Sequence, residues 1–102
     1  MIHVIATIEL NEGRREDFLA AFHRLVPLVQ AEVGCLEYGP TIDVASGLAV
    51  QGPSRSNVVT VVEKWESLEH LQEHLVAPHM QDYRITVQGM VVGTTLAVLE
   101  PA

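Results

Sequence analysis

Basic residues and cysteine are scarce in this chain. Six Lys and Arg stand against thirteen Asp and Glu, for a formal charge of −7. Nucleic-acid binding rests on clustered Lys and Arg at phosphates, so that partner is excluded. No basic helix face invites an anionic membrane, and no apolar run approaches the roughly 20 residues of a membrane span. The one cysteine, Cys35, cannot form an intrachain disulfide, which fits a reducing compartment. The opening MIHVIATIEL lacks the basic start and cleavage site of a signal peptide. Together these features predict a cytoplasmic protein. Catalytic signatures are scarce as well: there is no nucleophile elbow, phosphate-cradling glycine loop, dinucleotide fingerprint or CxxC. A cofactor-dependent enzyme is therefore poorly supported.

What the chain does have is periodicity. Its 102 residues make one domain, residues 1–102, with a core modest enough to profit from a second subunit. Ile2, Val4, Ala6, Ile8 and Leu10 alternate with His3, Ile5, Thr7 and Glu9, which predicts a strand with one firmly apolar face. After the Asn11-Glu12-Gly13 turn the period changes. Phe18, Ala21, Phe22, Leu25, Val29 and Val33 recur at helical spacing, widened by Leu19, Val26 and Leu28. Pro27 removes one backbone hydrogen bond there, so a kink or break is expected, and Gly34 suits a left-handed cap.

Cys35 to Val44 reads as a second strand interrupted by Gly39-Pro40. Ala45 to Asn57 is a long connection with turn signals around one short candidate strand, Leu48 to Gln51. Val58 to Glu66 is the strongest strand, apolar on both faces over its first half, so each face needs a cover. Ser67 is a good N-cap for a helix with a Leu68, Leu71 and Leu75 stripe. Pro78 starts a further helical segment on which Met80, Tyr83, Arg84 and Val87 share a side. Gly89 and Gly93 precede a last strand, Thr94 to Glu100. The order is β-α-β-β-α-β with an extra helical piece: an α+β, ferredoxin-like plan with one antiparallel sheet. Helices can cover one face of that sheet, and a second copy is expected on the other.

Chemistry concentrates in Val58 to Met80, which holds the only Trp and three of the five His. His70-Leu71-Gln72-Glu73-His74 matches the H-x-x-E-H zinc motif, but no distant third ligand is evident. On a helical wheel His74 faces inward, His70 lies further out and Glu73 is on the solvent side. A His at the edge of an apolar stripe reads either as a hydrogen-bonded core residue or as a base projecting into a pocket. Glu63 and Trp65 share one sheet face, and a buried Glu63 needs a partner, with Arg84 or a backbone cap as candidates. His79 reads as a loop or helix-start residue, and Cys35 as a small core residue.

Gly34-Cys35-Leu36-Glu37-Tyr38, Glu63-Lys64-Trp65-Glu66-Ser67, His74-Leu75 and Pro78-His79-Met80 occur in that order. In these blocks the chain resembles the antibiotic-biosynthesis monooxygenase family, and within it the bacterial quinol monooxygenases acting on menadiol-like substrates. The resemblance implies a homodimer in which two ferredoxin-like sheets pack face to face as a dimeric α+β barrel. It also implies oxidation of a small aromatic quinol by dioxygen without metal, flavin or haem, in a pocket between helices and sheet. Haem-degrading relatives use an Asn, a Trp and a His where this chain has Ala6, His74 and Arg84, which disfavours haem. His74 becomes the candidate base, Tyr38, Tyr83 and Arg84 the candidate donors to a quinolate oxygen, and Trp65 and Met80 further substrate-binding residues. The rival reading is a non-catalytic dimeric binding or stress protein that shelters a small apolar ligand.

Overall fold

A computed structural model describes all residues, Met1–Ala102. Alternating apolar residues form β1 (Ile2–Leu10), and the change to helical spacing gives α1 (Arg15–Gln30). Then follow β2 (Cys35–Thr41), β3 (Val58–Trp65), α2 (Leu68–Leu75), α3 (Pro78–Val87) and β4 (Val91–Leu99). The four strands form one antiparallel sheet in the order β2-β3-β1-β4, the ferredoxin-like arrangement expected from the element order. No helix is long and apolar enough to cross a membrane.

The register decides which residues meet. Ile2 pairs with Trp65, Val4 with Glu63 and Ala6 with Val61, so even-numbered β1 residues share a face with the odd-numbered residues of β3. The helices cover that face. Val4, Ala6, Ile8 and Leu10 are buried against Phe18, Ala21, Phe22, Leu25 and Val29, the predicted stripe of α1. Phe22 stacks on Tyr38 at 5.6 Å between ring centres and meets the edge of Tyr83 at 5.7 Å. That aromatic cluster ties α1 to β2 and α3 at a geometry worth about 1 kcal/mol per pair beyond area burial.

Several boundaries differ from the sequence expectation. The first helix ends at Gln30, and Val33, assigned to its stripe, is 78% exposed. Pro27 does not break the helix, which continues to Gln30 although the proline ring removes the N–H that would bond back to the His23 carbonyl. Gly39 and Pro40 lie within β2 rather than interrupting it. That strand is at the sheet edge, where a missing N–H costs no ladder bond. Leu48 to Gln51 forms a turn instead of a strand. The surrounding loop is held by the Arg55 guanidinium and backbone N–H on the Asp43 carboxylate at 2.8–2.9 Å. The last strand starts at Val91, three residues early, and passes through Gly93.

Two close approaches dock α2. Ser67 caps it as expected, its hydroxyl accepting from the His70 N–H. Gly34 has φ +84°, and a Cβ there would lie 2.3 Å from Cγ of the His70 ring. Only glycine permits both that backbone and that contact. The Glu66 N–H donates to the Gly34 carbonyl at 2.9 Å, so the turn at 31–34 is pinned beside the start of α2.

Candidate functional site

The helices cover β3 and β1 but leave the inner side of β4 bare: Leu96 and Val98 are 44% and 46% exposed. Between α2, α3 and the sheet lies a cavity of about 360 Å³ that opens toward β4. Eleven of its sixteen lining residues are hydrophobic, which suits an apolar ligand with a few oriented polar groups. The polar groups converge from four elements: Tyr38 on β2, Glu63 on β3, His74 on α2, and Tyr83 and Arg84 on α3.

Of the six residues singled out in the sequence, five line this cavity: His74, Tyr38, Met80, Tyr83 and Arg84. Trp65 does not reach it. Its fully buried ring lies against His74 at 4.7 Å between ring centres, and its Nε1–H donates to Glu63 Oε1 at 3.0 Å. The partner of Glu63 is thus Trp65, and Arg84 instead donates to the Leu75 carbonyl at 2.6 Å. Strand periodicity is the reason: residues 63 and 65 share a face by necessity, whereas Arg84 lies at the exposed edge of the cavity and reaches back to α2.

The H-x-x-E-H residues diverge. His70 Nδ1 pairs with Ser67 Oγ at 2.7 Å, Glu73 is exposed, and only His74 points inward. A different group forms around His74. Its Nδ1 lies 2.8 Å from Glu32 Oε2, and the same oxygen lies 2.8 Å from His79 Nε2. Glu32 stands in the turn after α1, with its N–H on the Val29 carbonyl and its own carbonyl accepting from Cys35. Among His, Cys and acidic side chains, these three are the ones close enough to hold a metal ion, their ligand atoms lying within 4.8 Å of one another. At 2.8 Å both contacts have the length of charge-assisted hydrogen bonds, each with a proton between nitrogen and oxygen.

The family model described as antibiotic biosynthesis monooxygenase matches residues 1–85. The chain belongs to that family. A curated Escherichia coli relative, the probable quinol monooxygenase YgiN, is 38% identical over 99% of this chain and 98% of its own. Among solved structures, PA3566 from Pseudomonas aeruginosa superposes with a TM-score of 0.82 at 22% identity, covering 99% of this chain and 93% of that one. Rv0793 from Mycobacterium tuberculosis does so with a TM-score of 0.78 at 24% identity, covering 99% and 94%. These two carry the fold. Family membership and the YgiN likeness make the protein an oxidoreductase of the monooxygenase class.

The electrostatics of this monooxygenase follow from the dryness of its cavity. Burial lowers the proton affinity of His74, opposed by its hydrogen bond and charge attraction to Glu32. The imidazole is therefore neutral near pH 7. With its Nδ1–H on Glu32, its lone pair is on Nε2, the form a general base needs. That nitrogen has no partner within the protein, and no buried side-chain nitrogen or oxygen is sealed away unpaired, so Nε2 meets the open space of the cavity. Burial also pushes the Glu63 carboxyl up to about 7, against the lowering effect of the Trp65 hydrogen bond. The Tyr38 and Tyr83 hydroxyls are driven well above their usual range, first by burial. Both remain protonated donors at any working pH.

Sequence reasoning missed Glu32 and His79 as members of this group. Glu32 is distant in the chain, 42 residues from His74 and 47 from His79, while His79 lies close to His74 in sequence but on the next helix, so only packing shows that the two rings share a partner. No spacing signal spans such distances. Glu63 was noticed as an unusual carboxylate on an apolar face, but its place in the cavity wall needed the register of β3 against β1 and β2.

Proposed function

We propose that this protein is a cofactor-independent monooxygenase of a small quinol or related aromatic phenol, with dioxygen as oxidant and His74 as the base. The likeness to YgiN supports the substrate class. The observation that carries the reading is a neutral imidazole with its free Nε2 on an apolar cavity of about 360 Å³, enough for a bicyclic aromatic ring system.

His74 accepts a quinol hydroxyl proton, and the electron-rich anion reduces dioxygen. For a quinol bearing a ring hydrogen, one oxygen atom enters the ring and the other leaves as water, the product being a hydroxyquinone. The organic substrate supplies all four electrons. A phenolic hydroxyl near pKa ~10 against an imidazole near ~6.5 leaves the proton transfer uphill by about 5 kcal/mol. Burial of His74 widens that gap. The protonated Tyr38 and Tyr83 hydroxyls and the Arg84 charge are the groups that narrow it, by hydrogen bonding to the quinolate oxygen in a dry site. Met80 contributes apolar wall, and Trp65 holds His74 and Glu63 from behind.

Residues 1–102 act as one domain in this reading, and a second copy covers the outer face of the sheet. That face presents Ile5, Val62, Ala97 and Leu99, with no helix over them.

Metal-free protein given menadiol is expected to consume oxygen above the spontaneous rate, and His74→Ala to lose roughly 10²- to 10⁴-fold of that rate. Uptake no faster than the uncatalysed reaction would sink the enzymatic reading. Saturable ligand binding without oxygen consumption would mark a binding protein instead.

A further inference from the structure

Three separate elements bring Glu32, His74 and His79 together. Glu32 comes from the turn after α1, His74 from the buried side of α2 and His79 from the start of α3. Each offers one donor atom, and the three atoms lie within 4.8 Å of one another. The Glu32 oxygen Oε2 is 2.8 Å from both His74 Nδ1 and His79 Nε2. The H-x-x-E-H pattern of α2 contributes only His74 to this group, and its two companions come from outside the pattern.

Two imidazoles and one carboxylate, with no thiolate among them, are the donor set of a borderline divalent ion such as zinc. Calcium and magnesium would need more oxygens. The spacing agrees with the chemistry. Metal bonds of about 2.0–2.2 Å place neighbouring ligand atoms roughly 2.9 Å apart at right angles and about 3.4 Å apart in a tetrahedron. The two nitrogen–oxygen contacts therefore need to open by only ~0.1 Å in the first case and ~0.6 Å in the second. The side chains that must give way are the less confined ones. His74 is packed against the Trp65 ring at 4.7 Å and the edge of Tyr38 at 5.4 Å. Glu32 stands in a turn, and the His79 side chain is 24% exposed.

His79 also opens a way in. It lines a shallow cleft of about 160 Å³ between α1 and α3, with Asp82 beside it. Arg24 in that cleft and Arg84 in the cavity wall act against a cation. A carboxylate bonded directly to the ion outweighs them, because its charge is the nearest.

We propose that Glu32 Oε2, His74 Nδ1 and His79 Nε2 form a binding site for a zinc-type divalent ion entering from the outer cleft, and that the bound ion switches His74 off as a base. With both imidazoles neutral, the hydrogens directed at Glu32 are Nδ1–H of His74 and Nε2–H of His79. The ion takes the lone pairs of those two nitrogens, and each ring keeps its proton on its other nitrogen. No proton is released and no electron is transferred. His74 then presents Nε2–H to the apolar cavity in place of a lone pair, so it donates a hydrogen bond and accepts no proton. The inhibition rests on His74 being the base, as set out above, whereas the binding site does not.

The test starts from chelator-stripped protein titrated with zinc chloride in a calorimeter. One equivalent should bind per chain, and ¹⁵N NMR of the imidazoles should show His74 changing from the Nδ1–H to the Nε2–H tautomer. Glu32→Gln and His79→Gln should each weaken binding by at least about 100-fold, the upper end of what losing a mere outer partner of a ligand costs. Binding at full strength in both variants would mark an adventitious histidine site on the surface and overturn the proposal. So would the lack of a stoichiometric zinc ion in the wild type. In oxygen uptake with menadiol, corrected for the spontaneous rate at the same zinc concentration, saturating zinc should cut the wild-type rate by roughly 10²- to 10⁴-fold, the share of a general base. Excess chelator should restore it. Uptake that continues undiminished with zinc bound refutes the switch. If the stripped wild type consumes no oxygen, the functional reading fails, while the calorimetry and the tautomer change still decide the site.

Discussion

Glu63→Gln isolates the energetic cost of placing a carboxyl group in the wall of an apolar cavity. In the folded protein that group titrates at about 7, against 4.5 for an ordinary Glu, with burial as the main cause. The folded-state value is raised, so the folded protein binds the proton more tightly than the unfolded chain. Stability from this group is fully present below about pH 4.5 and is lost as pH rises through about 7. At 1.36 kcal/mol per pKa unit, the loss amounts to about 3 kcal/mol. Gln accepts the Trp65 hydrogen bond in the same place but cannot ionise. Its amide N–H₂ adds an offset that does not vary with pH.

The assay is urea unfolding of wild type and Glu63→Gln at a fixed protein concentration, at several values between pH 5 and 8. His74 works in the opposite sense: its lowered proton affinity makes stability fall as pH drops. It is common to both proteins and cancels in their difference. Most of the roughly 3 kcal/mol gap should open between pH 5 and 8, in favour of Gln at the alkaline end. Parallel stability curves over that range would refute the reasoning and return Glu63 to the status of a solvated carboxylate.

Two further substitutions probe how the site is assembled. Gly34→Ala forces a side chain into a left-handed backbone and against the His70 ring, so it should destabilise by at least about 2 kcal/mol in the same unfolding assay. It should also loosen the His74–Glu32 bond, since Gly34 joins the Glu32 turn to the start of α2. Val62→Lys places a charge on the outer sheet face without touching the cavity. In the proposed dimer the wild type is expected to sediment as two copies and Val62→Lys as one, and an unchanged oligomeric state would mean that this face is not the interface.

Much of the fold was legible because short-range periodicity reports which side of an element is buried. The alternation of Ile2 to Leu10 and Val58 to Trp65 located both central strands, and the Phe18-Phe22-Leu25-Val29 spacing located the face of α1. Ser67 and Pro78 marked the starts of α2 and α3 because caps and prolines act within one turn. The ends were harder to read. Val33 continued the stripe on paper, yet the chain had already turned at Ala31 to bring Glu32 under α2. Val91 to Gly93 joined β4 through pairing with Glu9 and Leu10, an interaction that no local pattern expresses.

The candidate site divides along the same line. The sequence by itself determined the inward direction of His74, the shared face of Glu63 and Trp65, and the apolar character of their surroundings, because each depends on spacing within one helix or strand. Only the tertiary structure decided that Glu32 reaches His74 and His79 together, that Trp65 stands behind the cavity rather than in its wall, and that His70 turns away to Ser67. Those outcomes depend on where the turn at 31–34 meets α2 and on how far the helices extend across the sheet. They are set by packing between residues far apart in the chain, and periodicity carries no information about it.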